Sequence, residues 1–315
     1  MRVLVAGATG AIGSRLVPLL LSAGHSVVGL THNPARADAI CRTGAEAAVA
    51  DALSRAAIVK AVAKAEPDVI VHEMTSLSAA NDLRHFDRSF AVTNRLRTEG
   101  LDNLLAAARQ TRTSRIVAQS FCGWPYARNG GRVKSEDDPL DPEPPRELRR
   151  TLEAIRYLER VVTARSDLDG VVLRYGAFYG PGTGPFDGPM IDQLRRRRVP
   201  LIGDANGWWS FLHIDDAAAA TAIAAERGAS GIYNIVDDEP APVGERLPAL
   251  AAMLGARPPW HIPKWLGRLA AGAPVVMMTT EVRAGSNAKA MRDLAWRPKY
   301  RSWRQGFAEV VSGSA

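Results

Sequence analysis

With 315 residues, 46% of them hydrophobic and 23% charged, the chain can bury a full core and is too apolar for a disordered or collagen-like class. Two cysteines, Cys41 and Cys122, exclude a disulfide framework and lack metal-ligand spacing, so both read as packing residues and no metal site is expected. The net charge of +7 suits an anionic ligand. Its densest patch, Arg195 to Arg198, has no interleaved aromatics for base stacking. It therefore reads as the solvated end of a helix rather than a nucleic-acid surface.

The elements begin with the apolar run Val3 to Ala6, which passes without a spacer into Gly7-Ala8-Thr9-Gly10-Ala11-Ile12-Gly13 and then into a helical stretch near 11–23. Strand, glycine turn and helix in that order form a phosphate cradle: glycines let the backbone turn sharply and approach an anion, and N–H groups at the helix start face it. Further strands are expected at Ser26 to Leu30, Ala45 to Val49, Asp68 to His72, Ser114 to Gln119 and Gly170 to Arg174. Helices near 34–43, 54–65, 83–110 and 147–165 separate them. This alternation predicts an α/β fold with a doubly wound parallel sheet, and places ligands beyond the carboxyl ends of the strands.

Asp137 to Pro145 is too proline-rich for regular structure and reads as a surface loop or lid, with Lys134 facing solvent. Tyr179 to Pro185 reads as a long loop, and Ile232 to Val236 as a strand rejoining the main sheet. The expected division is a dinucleotide-binding domain of residues 1–180 and 216–245, with a smaller substrate lobe of 181–215 and 246–315. Trp265 to Thr280 is interrupted by Arg268 and Pro274 and is too short for a bilayer span. The start of the chain lacks the pattern of a secretory signal, so no membrane association and a cytoplasmic location are expected.

Across nearly its whole length the chain resembles the extended short-chain dehydrogenase/reductase superfamily, the NAD(P)-dependent epimerase/dehydratase group. Gly7, Gly10 and Gly13 match its glycine turn, and Asp51-Ala52-Leu53 resembles the segment whose carboxylate contacts adenine. Pro67 to His72 looks like its fourth strand, although Glu73-Met74-Thr75 replaces a small apolar run. Asn94, followed by Gly100 to Ala108, is similar to the helix carrying a structural Asn. Arg174 to Gly182, Phe211 to Asp216, Tyr233-Asn234-Ile235 and Ala288 to Pro298 match later motifs. The resemblance implies a Rossmann-type fold, a homodimer and a small-molecule substrate. It implies dinucleotide contacts at Gly7, Thr9, Gly10, Ala11, Ile12, Gly13, Thr31, His32, Asn33, Arg36, Asp51, Ala52, Thr75, Tyr175, Gly176 and Phe178. The end of the second strand, Leu30-Thr31-His32-Asn33-Pro34-Ala35-Arg36, offers no acid for a ribose hydroxyl, and Arg36 suits a 2′-phosphate. NADP is therefore expected over NAD.

The family's proton-transfer pair, a Tyr and a Lys four positions later, is absent. Counting back from Glu159 puts Thr151 at the Tyr position and Ile155 at the Lys position. A threonine hydroxyl is a far weaker acid than a phenol, and Ile155 brings no charge. Tyr126 is the expected substitute acid, with Ser120 orienting substrate. Trp124, Tyr179, Trp208, Trp209 and His213 are the candidate substrate contacts. Trp209 stands where nucleotide-sugar enzymes commonly carry a diphosphate-binding Arg, and paired indoles suit an apolar or aromatic substrate better. The expected activity is NADP-dependent hydride transfer to or from a small apolar carbonyl or alcohol. Epimerase or dehydratase chemistry on a sugar derivative and a non-catalytic NADP-binding regulator are the alternatives.

Overall fold

The alternation is realised in the computed structural model, which describes residues 1–77, 82–183 and 189–312. Seven parallel strands make the central sheet: β1 (Arg2–Ala6), β2 (Ser26–Thr31), β3 (Glu46–Val49), β4 (Val69–His72), β5 (Arg115–Phe121), β6 (Asp169–Tyr175) and β7 (Gly231–Ile235). Their spatial order is β7-β6-β5-β4-β1-β2-β3, with every neighbouring pair in parallel register. Runs such as Val69-Ile70-Val71 are buried on both faces because helices cover both sides of the sheet.

One face packs on α1 (Gly13–Ser22) and α5 (Ile214–Glu226), through Leu16, Val17, Leu20, Ala217 and Ala220. The other packs on α2 (Arg55–Ala65), α3 (Leu101–Ala108) and α4 (Arg149–Thr163), through Ile58, Val62, Leu104, Leu158 and Val162. Strand order reverses between β1 and β4, which opens a crevice at their carboxyl ends. Two backbone approaches there demand glycine. Gly7 has φ +96°, and a Cβ on it would lie 2.7 Å from the Glu73 carbonyl oxygen; a Cβ on Gly13 would lie 2.2 Å from that of Gly7.

The expected single helix near 83–110 is instead a series: Phe86–Ser89, Ala91–Arg95, one π turn at Leu96–Gly100, and α3. The Thr98 hydroxyl donates to the Asn94 carbonyl at 3.0 Å, a side-chain bond that competes with the helical ladder where it widens. A third core joins Tyr179, Leu201, Phe211, Val243, Leu247, Trp303 and Phe307. Ala290, Leu294 and Trp296, on the lobe side of the expected division, belong to the main core, and the helix Ala288–Asp293 packs on β7.

Ala177–Tyr179 forms a short strand parallel to Phe211–His213, so the expected loop begins later than Tyr179; Gly184 and Pro185 lie outside the described residues. The proline-rich segment is pinned by Ala127 N–H donating to Pro139 and Asp141 N–H to Pro125, with Arg128 bridging Asp141 and Glu281. Lys134 is buried beside Asp138 at 3.1 Å rather than facing solvent. Cys122 is buried as expected and Cys41 is exposed. Arg195 to Arg198 are exposed at and beyond the end of the Pro189–Arg195 helix. Among the described residues no helix is long and apolar enough to cross a membrane.

Gly13→Ala is expected to lower stability by about 1–3 kcal/mol, the usual cost of overpacking. An unchanged thermal midpoint would show that the turn can open without cost.

Candidate active site

The cradle is built by the sequence at residues 7–13. No side chain caps α1, whose N-cap position is Ile12, so its first turn is open toward an incoming anion. With no room for a Cβ at Gly7 or Gly13, the bare backbone lines the crevice, and these residues fit a dinucleotide pyrophosphate. Thr9, Gly10 and Ala11 lie along the turn, and Arg36 reaches back across it, its Nη1 donating to the Thr9 carbonyl at 3.4 Å. Thr31 accepts from Asn33 N–H, and Asn33 in turn caps the short helix Pro34–Arg36 by accepting from Ala35 N–H. His32 is exposed beside them. Asp51 accepts from Leu53 N–H, and the Ala52 carbonyl accepts from Asn103. Thr75 is half-buried in the loop after β4, which Thr93 holds by accepting from Ser76 N–H. Gly176 meets Ser210 and Phe211 so closely that a Cβ would lie 2.9 Å from the Ser210 carbonyl, and Phe178 rests on the Tyr175 ring.

At the end of β5 an aromatic wall assembles. Phe121 packs on Trp124 and Trp209 with centroids 6.5 and 6.4 Å apart, and Phe86 meets the edge of Trp124 at 5.4 Å while stacking on Phe90 at 4.1 Å. The Trp209 indole N–H donates to the Met278 carbonyl, which fixes the ring. Trp124 and Trp209, both candidate substrate contacts, thus lie in one cluster about Phe121. Trp208 does not, because consecutive strand residues point to opposite faces: its indole donates to Asn206 and lies under Arg132. Tyr179 and His213 also move out of the candidate site. Tyr179 is fully buried against Phe307, and His213 caps α5 by accepting from Asp215 N–H at 3.2 Å, with its pKa lowered by burial. Phe86 and Phe90 were missed because they read as ordinary apolar faces of a helix.

Tyr126 and Ser120 are committed to a buried network. Glu159 on α4 receives Ser120 Oγ at 2.7 Å and both Nε and Nη2 of Arg174, at 2.8 and 2.7 Å. Arg174 Nη1 donates to the Tyr126 oxygen, and the Tyr126 hydroxyl donates to Asn234 Oδ1 at 2.7 Å. Tyr126 is 1% exposed, and burial drives its pKa far above the ordinary phenol value. Its one proton already has an acceptor inside the core, so the expectation of Tyr126 as proton donor is corrected: it is a core residue here, as is Ser120. Thr151 is equally engaged, donating to Asp87 at 2.6 Å and accepting from Asn94 at 2.9 Å.

A second buried carboxyl closes the other side of the sheet. Glu73 continues the Val69–Val71 face, and this alternation was the signal for its burial. Tyr175 donates to its Oε1 at 2.9 Å and shares a 2.7 Å bond with Thr221, while Oε2 has no hydrogen-bond partner among the described residues. Burial pushes Glu73 up to about 8, so it is largely protonated at neutral pH.

Residues 3–236 match the model of the NAD dependent epimerase/dehydratase family. The chain belongs to this family. A 3-diazoavenalumate denitrifying reductase of Streptomyces is 43% identical over 98% of this chain and 99% of its own length. A UDP-glucose 4-epimerase of Mycolicibacterium smegmatis is 28% identical over 99% of this chain and 97% of its own. The fold matches a Thermotoga maritima UDP-glucose 4-epimerase solved with UDP-glucose at a TM-score of 0.79, covering 99% of this chain and 98% of that one, with 21% identity. This epimerase/dehydratase-family chain is therefore an enzyme, and at the coarse level an NAD(P)-dependent oxidoreductase.

Glu73 gives the pH dependence a defined sign. It keeps its proton up to about pH 8 in the fold, against an ordinary value of 4.5. Between those values the folded state binds more protons than the unfolded, so stability falls as pH rises, by up to about 1.4 kcal/mol per unit. Glu73→Gln should flatten this slope in urea unfolding compared at pH 5.5 and 8; an identical slope in the variant would assign the dependence to other groups.

Proposed function

We propose that this enzyme is an NADPH-dependent reductase acting on an aromatic diazo acid, with the aromatic ring held by Phe121, Trp124 and Trp209. The observation that carries this reading is that Thr151 and Ile155, the positions matched to the family's proton donor and its ammonium, are buried and unfit for that task, while Tyr126 is locked in the core. Reducing a carbonyl builds charge on oxygen and calls for a well-placed acid. A diazo group makes no such demand. When bound at Gly7 to Gly13 the reduced dinucleotide would supply a hydride; taken up at the terminal nitrogen of an aryl diazonium, this would give an aryl diazene that loses N2 and leaves the arene. The 43%-identical relative is named for reduction of a diazo substrate with loss of nitrogen, and the suffix of that substrate denotes an acid anion.

What falls to the protein is binding and placement. The backbone of the glycine turn holds the pyrophosphate. Arg36, poised over Thr9 at the end of β2, pairs with a 2′-phosphate and favours NADPH. Thr75 and Phe178 would hold the nicotinamide half, and the apolar side chains of Phe121, Trp124 and Trp209 offer the ring a water-poor neighbour. The pairing of Trp209 with Phe121 also disfavours a nucleotide-sugar diphosphate, for which this wall offers no charge.

The assay is loss of NADPH absorbance together with N2 release from 3-diazoavenalumate and simpler aryl diazo acids. Turnover of aryl ketones with no reaction of diazo compounds would replace this reading by the carbonyl one. For the cofactor, Arg36→Ala is expected to raise the KM for NADPH about tenfold, the loss of roughly 1.4 kcal/mol, and to leave that for NADH unchanged. Equal effects on both would remove Arg36 from 2′-phosphate recognition.

A further inference from the structure

Arg97 is 6% exposed, and among the described residues its Nε and Nη1 find no acceptor. A guanidinium carries five N–H donors, and burying the charge without acceptors is strongly unfavourable. The titratable groups facing it do not relieve this. His72, at the end of β4, is held neutral by burial, its Nδ1 accepting from Met74 N–H and its Nε2 donating to the Leu96 carbonyl. Glu159, on α4, attracts Arg97 at a distance, but its oxygens accept from Ser120 and Arg174 and not from Nε or Nη1 of Arg97.

Position points to a ligand. Arg97 sits in the π turn Leu96–Gly100, a widened turn of the kind that recurs at functional sites, and this turn packs on α4. One turn earlier, Thr93 holds the loop that follows β4. Asn94, next to it, gives its Nδ2 to Thr151, while its buried Oδ1 has no partner among the described residues. Along α4, Leu152 and Ile155 pack in the same cluster as Trp124 and Phe86 of the aromatic wall. An unpaired cation and an aromatic wall therefore share the helix α4 at the carboxyl end of β4 and β5.

We propose that Arg97 is the anion-binding residue of the substrate site, pairing with the carboxylate of the aromatic substrate; this rests on the aromatic-acid reading above. Folding alone gives no reason to keep a buried charge where an apolar side chain would serve. A carboxylate supplies two acceptor oxygens that match the guanidinium fork. The cost is borne in the free enzyme and relieved on binding.

The test uses cinnamate and methyl cinnamate as probes with the NADP-saturated full chain, followed by quenching of tryptophan fluorescence. Wild type should bind cinnamate about tenfold or more tighter than the ester, a difference of roughly 1.4 kcal/mol. Arg97→Met should abolish that preference while leaving ester and NADP affinity intact, with a thermal midpoint in the free enzyme equal to or above wild type. Arg97→Lys should keep part of the preference. Equal binding of acid and ester by wild type would overturn the proposal. A loss of NADP affinity in Arg97→Met would assign the residue to the cofactor, and a sharp fall in its thermal midpoint would make Arg97 structural; either result overturns it. If neither probe binds wild type, the aromatic-acid reading falls and this assignment with it. Acid-selective binding without diazo turnover leaves Arg97 standing and removes only the reaction.

Discussion

The bidentate pair of Glu159 and Arg174 is the interaction on which the interior of this site depends. It ties α4 to β6, and through Ser120 and Tyr126 it reaches β5 and, by Asn234, β7. Four elements, drawn from residues 115 to 235, are thereby held in one register by groups that are all buried. Such a pair is weak evidence for net stability, because desolvation offsets much of the Coulomb attraction, but removing one partner strands a charge. Its consequence for function is one of supply: it engages the hydroxyl protons of Ser120 and Tyr126 and both oxygens of Glu159, so these groups serve the core rather than a ligand.

The two sides of the sheet handle buried ionisable groups differently. On the α4 side the charges of Glu159 and Arg174 are paired, His72 is neutral, and Arg97 is left over. On the α1 side Glu73 has only hydroxyl neighbours, Tyr175 and Thr221, and escapes the cost of burial by holding a proton. A protonated Glu73 suits its position, since its backbone carbonyl presses against Gly7 and any dinucleotide phosphate bound over that turn brings further negative charge. An ionised carboxylate there would oppose it.

The parts of the site that were legible in sequence are those fixed by short-range sterics. The spacing of Gly7, Gly10 and Gly13 announces a turn in which a Cβ has no room, and the apolar runs announce a sheet covered on both faces. Glu159 was visible too, as the mark from which Thr151 and Ile155 are counted. The role of Tyr126 was not, because its hydroxyl is claimed by Asn234 and Arg174, residues 108 and 48 positions away, and nothing local reveals that claim. Trp208 and Trp209 looked equivalent until strand pairing sent one inward and the other toward Arg132. Arg97 shares an α-helical face with Thr93, Leu101 and Leu104, but an arginine on such a face gives no sign in sequence of whether its charge is paired; the packing of the π turn on α4 buries it.

These features bear on how one fold serves different hydride acceptors. A dinucleotide cradle needs little more than backbone, so it survives wherever the turn is kept, whereas proton management depends on a few side chains that a substrate can make redundant. When the acceptor is nitrogen with dinitrogen as the leaving group, expulsion of a stable gas drives the reaction and no alkoxide has to be quenched. Selection for a phenol and an ammonium then lapses, and Thr151 and Ile155 are free to serve helix docking and packing. What such a substrate still requires is to be held still, with its ring against an apolar wall and its charge countered. In our reading Phe121, Trp124 and Trp209 meet the first requirement, and the otherwise costly burial of Arg97 is how the fold meets the second.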